Sequence, residues 1–116
     1  MADKFLLEID AGATYSLTVT WKDSNDAAID LTSYTARMKL KTNFGGATLV
    51  SLTDTDGLTL GGALGTIAIV ISATRTTTLC DTDIAKGVWD LEVVSAAGVV
   101  TRVLEGRWVA HPEVTD

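Results

Sequence analysis

Cysteine, histidine and proline each occur once in the 116 residues, and each scarcity closes off a class of protein. A lone Cys80 cannot form an internal disulfide framework, so the chain must hold together by packing, as suits a reducing cytoplasm; one thiol leaves only a bond between chains. One cysteine and one histidine also fall short of the roughly four ligands of a Cys/His zinc site. His111 is the only candidate base for a hydrolase triad. It lies beside Pro112, and no G-x-S-x-G elbow occurs. It reads as a partly exposed residue closing the last strand.

Basic runs are missing too. Nine Lys and Arg are dispersed among fifteen Asp and Glu, for a net charge of −6 and a pI near 4.5. That removes the cationic footprint of a nucleic-acid binder, while an acidic surface keeps a protein soluble and suits a basic partner. The longest aliphatic run, residues 67–71, is far below the ~18 residues of a membrane helix. The opening MADKFLLEIDAGATY has neither the basic head nor the ~7–15-residue apolar core of a secretory signal. Neither nucleic acid nor membrane is expected as a partner, and the chain is expected to fold in a cytoplasm.

Cofactor motifs are equally scarce. GGALG at 61–65 sits between strands, where a phosphate-binding glycine loop would open a helix. DTDG at 54–57 begins like a calcium loop, but Gly57 comes two residues early and the twelfth position is Gly65, so it reads as a tight turn. Asp81 and Asp83 offer no better set. Asp90 and Glu92 fall on one strand face about 7 Å apart, which is compatible with a glycosidase pair and reads more simply as solvated charge. No catalytic residue, metal or cofactor is expected.

What remains is strand. A chain with 47% apolar residues has the size of one domain, here residues 1–116, and can bury roughly two-thirds of its unfolded surface. In ATYSLTVTW, Tyr15, Leu17, Val19 and Trp21 alternate with Ser16, Thr18 and Thr20. KDSNDAA follows as an Asx-type turn. The phrase AIDLTSYTARMKLK at 28–41 begins as a turn around Asp30 and Thr32, then alternates Tyr34, Ala36, Met38 and Leu40 with Thr35, Arg37, Lys39 and Lys41. One face of that strand is apolar and the other carries three cations.

Further strands are expected in ATLVSLT, LTL, TIAIVIS and GVWDLEVVS, and a long final one in VVTRVLEGRWVA. Residues 72–87 lack a period; they suit a crossover between sheets in which Ser and Thr could cap a helical turn. Eighteen threonines agree, since a β-branched side chain suits a pleated surface. The expectation is an all-β, antiparallel sandwich of about seven or eight strands, with extended termini at 1–4 and 111–116.

Trp21 and Trp89 are in phase with aliphatic neighbours and are assigned to the core. The final strand is apolar on both sides: Val100, Leu104 and Trp108 form one face, broken by Arg102 and Gly106, while Val99, Val103 and Val109 form the other. Such a strand is central or covered, and cover by a neighbouring subunit is the functional version of that pattern.

The opening strand, the polar turn, the D-L-T-S-Y phrase and its charged strand resemble an order found in small proteins of tailed bacteriophages. The closing pair VWDLEVV at 88–94 and TRVLEGRWVAHPEVT at 101–115 resembles the Y-D-L-E-like and R-L-L-x-G-like strands that end them. The early phrase is similar to the immunoglobulin-like N-terminal domain of phage upper-baseplate proteins, which holds receptor-binding modules to the tail. Ser33 stands where that phrase has glycine, a mild change if its φ stays negative. No receptor-binding segment follows residue 116, which under this resemblance implies a stand-alone adaptor or decoration protein.

The resemblance implies a non-enzymatic virion protein that associates with itself, as an oligomer or symmetric array, or with other virion proteins, at the tail or baseplate. A capsid decoration protein is the alternative; a carbohydrate-binding module with Trp108 or Phe44 exposed is a third. Arg37, Lys39, Lys41, Phe44, Val99, Val103 and Val109 are the candidate interface.

Overall fold

A computed structural model describes residues 3–79 and 85–112, so Cys80, Asp81, Asp83 and residues 113–116 lie outside it. Its strands are β1 (Asp3–Lys4), β2 (Leu7–Asp10), β3 (Tyr15–Thr20), β4 (Thr35–Lys41), β5 (Thr48–Thr53), β6 (Leu58–Leu60), β7 (Thr66–Ile71), β8 (Ala85–Val94) and β9 (Val100–His111). One sheet runs β1-β9-β8-β4-β5, with β2 also on β9; the other runs β3-β7-β6. A short helix, α1 (Ala73–Thr77), lies on the crossover between the sheets, and the Ser72 hydroxyl accepts its Arg75 N–H.

The alternation predicted for β4 holds: Ala36, Met38 and Leu40 are buried, while Arg37 and Lys39 face solvent. They join Leu91, Val93, Ile67, Ile69 and Ile71 in one core between the sheets. The turns form as their chemistry suggests. The Asp23 carboxylate accepts the N–H groups of Asn25 and Ala27, and Gly57 of DTDG has φ +97°.

The N-terminus departs from expectation. Residues 3–4 are not a loose extension, and β1 and β2 both run parallel to β9, so the larger sheet is mixed. Leu7 and Ile9 are fully buried by that pairing.

A second correction concerns β9. Leu91 pairs with Leu104 but Glu92 pairs with Arg102, so Val103 is the extra residue of a β-bulge. The bulge turns both Val103 and Leu104 into the core and reverses the phase beyond it, which puts Trp108 and Ala110 inside. The bulge thus brings Val103, Leu104 and Trp108 into one core, while Val99 and Val100 stay exposed. Val103 belongs to the core and leaves the candidate interface.

Ser33 is a third. Its φ is +67°, set by a turn in which the Tyr34 N–H donates to the Leu31 carbonyl at 3.0 Å. This is the left-handed region that glycine occupies without penalty. Ser33→Gly is expected to stabilise the protein by about 0.5–1 kcal/mol after the extra backbone entropy of glycine in the unfolded chain. A urea melt checks this; an unchanged or lowered midpoint would contradict the strain.

Candidate interaction surface

The outer face of the larger sheet is a trough of about 690 Å³. Cross-strand pairing builds it in rows. Arg37, Glu92 and Arg102 are neighbours in one row; Lys39, Asp90, Glu105 and Lys4 form the next; Lys41, Val88 and Arg107 form the third. Phe44 and Gly45, which follow β4, also line the trough.

The first two rows are largely compensated. Arg37 Nε donates to Glu92 Oε1 at 2.8 Å, Lys4 Nζ to Glu105 Oε2 at 2.9 Å, and Arg102 reaches Glu105 at 3.2 Å and Asp90 at 3.5 Å. Lys4 and Arg102 hold the Glu105 carboxyl below its ordinary range. The third row has no carboxylate. Among the described residues, Lys39, Lys41 and Arg107 make no ion pair within 4 Å.

Among the described residues, six of the nine Lys and Arg thus share this face with three carboxylates, whereas the other three cations share the rest with eight. The face is net positive on an acidic protein. Phe44, 90% exposed, lines the same trough as Lys41 and Arg107. The expected strip Arg37, Lys39, Lys41 and Phe44 is therefore gathered in one place. Val99 and Val109 are not part of it: Val99 precedes β9 and is exposed, and Val109 lies near its far end, half-buried. Sequence reasoning missed Lys4, Arg102 and Arg107, because their place on this face depends on strands paired from remote parts of the chain.

Asp90 sits mid-trough, and its carboxyl is pushed up, first by burial and then by the Glu92 charge, against the pull of Arg102. A raised carboxyl pKa means that the folded state binds protons more readily than the unfolded one. Stability contributed by Asp90 is then greatest at low pH and is lost as pH rises through the window above its ordinary 3.8. Asp90→Asn is expected to raise the melting temperature at pH 7, the advantage vanishing below pH ~3.5. Lower stability of the Asn variant at neutral pH would mean the Arg102 contact outweighs desolvation.

Among the other candidates, Trp89 is buried as expected. Trp108 is too, at 1% exposure, and so drops out as a sugar platform. Trp21 is only half-buried at the rim, edge-on to Tyr34 at 6.3 Å. His111 ends β9, half-buried, with its carbonyl accepting the Ala11 N–H. Asp54 and Asp56 are engaged in the fold, Asp54 with the Ala36 N–H and Asp56 with Arg75.

No protein-family model matches the sequence, and no curated protein does. Solved structures do match. A chicken TCR aligns with 98% of this chain at 19% identity and a TM-score of 0.60, the chain spanning 56% of that one. Extracellular domains of the voltage-gated sodium channel beta4 subunit, described as parallel homodimers with a role in cell-cell adhesion, align with 98% of this chain and 96% of their own length. They share 10% identity, with a TM-score of 0.50.

The fold is immunoglobulin-like. In that scheme β3, β7 and β6 occupy the B, E and D places and β9, β8, β4 and β5 the G, F, C and C′ places. The disulfide between B and F is impossible with one cysteine, and the strand-C tryptophan is replaced by β4 residues such as Met38. Trp89 and Trp108, on the F and G strands, supply the large buried rings.

Proposed function

We propose that this is a non-enzymatic structural protein of a bacteriophage virion, an adaptor at the tail or baseplate that works by protein–protein association. The observation that carries the reading is the open third row of the trough. Lys41 and Arg107 flank Val88, and the exposed Phe44 lines the same trough, so an acidic segment with one apolar side chain would find charge and contact on one face.

The origin in a virion rests on the phrase at 28–41 and the closing strands. Ser33 remains a departure from the phage phrase, since its φ of +67° is one that glycine takes without penalty and serine does not. The immunoglobulin-like sandwich is the fold that the resemblance implied. Small rigid domains of this kind act by repetition, and symmetry fixes how many copies a particle holds.

The test is the copy number in purified particles of the parent and of a Lys41→Glu, Arg107→Glu double variant, by quantitative mass spectrometry. A few copies to a few dozen per particle is expected for a tail position, and several hundred would indicate capsid decoration instead. The double variant should fold and fail to incorporate. Absence of the parent from particles would end the virion reading.

A further inference from the structure

Among the described residues, the outer edge of β3 in the smaller sheet has no partner. β3 pairs only with β7, and no described strand lies on its other side. The Trp21 N–H donates to the Gly65 carbonyl one step beyond the Thr20–Thr66 pair, so the odd residues of β3 are the ones bonded to β7. Consistently, β7 turns its even residues the other way, with the Val70 N–H donating to Gly57 and the Thr66 carbonyl accepting from Gly61. By alternation, the N–H and C=O groups of Ser16, Thr18 and Thr20 point out of the sheet edge.

The inner face of the same strand is incompletely covered. Ile67, Ile69 and Ile71 on β7 are fully buried, but Tyr15, Leu17, Val19 and Trp21 are each only half-buried. A six-residue edge without charge, proline or bulge lacks the usual protection against pairing.

We infer that two copies of this chain pair through β3, antiparallel about a two-fold axis at Thr18, to join their three-stranded sheets into one of six strands. Self-pairing is favoured because the edge is uncharged, so two identical copies bring no like charges together. The register about Thr18 also matches every free group. Ser16 meets Thr20 of the second copy, Thr18 meets Thr18 of the second copy, and Thr20 meets Ser16 of the second copy, for six backbone hydrogen bonds. The same register sets Leu17 against Val19 and Tyr15 against Trp21 across the axis, the apolar and aromatic pairs that stabilise antiparallel strands. Those four side chains are the half-exposed ones. The pairing does not depend on the virion reading, since it would form in free protein.

Sedimentation equilibrium of the full chain, with reductant to exclude a Cys80 bond, from about 10 µM to about 1 mM should show a concentration-dependent dimer. Thr18→Lys and Thr18→Glu each set like charges opposite one another at an exposed position, and each is expected to lose the dimer with its circular dichroism unchanged. Mixing the two variants should restore a dimer, a result that misfolding cannot produce. A parent monomeric throughout, single variants that dimerise like the parent, or a mixture that stays monomeric would each overturn the inference.

Discussion

Gly106→Ala is expected to destabilise the protein by about 3–5 kcal/mol and to lower its melting temperature by on the order of 10–20 °C. Gly106 lies in β9 opposite Trp89 with φ +154°, and a Cβ there would stand 2.2 Å from the Phe5 carbonyl oxygen. That oxygen belongs to backbone, which cannot rotate away as a side chain would. The same carbonyl accepts the Trp89 indole N–H at 3.0 Å. Moving Phe5 would therefore strain the entry to β2 and leave a buried donor unpaired, on top of the unfavourable φ of an alanine. Thermal and urea denaturation measure the loss, and amide exchange should show the lost protection concentrated in β1 and β2. A melting temperature unchanged from the parent's would mean that the N-terminal strands adapt freely and do not pin β9.

This coupling explains why the N-terminal strands were not legible in the sequence. β2 buries only Leu7 and Ile9, two residues of alternation, and its partner lies about a hundred positions away. Parallel pairing gives no hairpin turn to announce it, and the signal in Gly106 has meaning only once Phe5 is known to approach it. β4, by contrast, was readable because three buried residues alternate with cations over seven positions. The bulge at Val103 sits between these cases. Val103 and Leu104 looked like opposite faces of β9 because one residue's shift of phase brings both into the same core, and periodicity cannot tell that from a covered face.

The candidate surface shows the same division. Arg37, Lys39 and Lys41 could be read from one strand, since their spacing fixes their common face. Their neighbours could not: the partnership of Arg37 with Glu92 spans 55 positions and is made by the β4–β8 register. Nor could sequence tell that the first two rows would be compensated and the third left open, which is what singles out Lys41 and Arg107. Ser33 was legible as a deviation from a phrase, but the sign of its φ follows from the Leu31–Tyr34 bond that closes the turn.

Trp108→Ala is expected to cost about 3–5 kcal/mol, the usual range for truncating a fully enclosed aromatic ring. The ring is 1% exposed, and its Nε1–H donates to the Lys41 carbonyl at 3.0 Å. Gly87 leaves the space that this bond needs, because a Cβ there would meet the same carbonyl at 2.0 Å and the indole nitrogen at 2.7 Å. Trp108→Phe separates the two contributions. It keeps most of the apolar volume but leaves the Lys41 carbonyl without its indole donor, for an expected loss of about 1–2 kcal/mol. Urea denaturation of the three proteins measures both steps, and equal losses for Phe and Ala would assign the effect to the hydrogen bond instead of packing. The Phe variant also tests the trough from below. Lys41 ends β4, so under the proposed virion role a folded Trp108→Phe protein with a freed Lys41 carbonyl should incorporate into phage particles less well than its stability alone predicts. Incorporation tracking stability alone across the parent, Phe and Ala proteins would show that the indole bond does not position the third row.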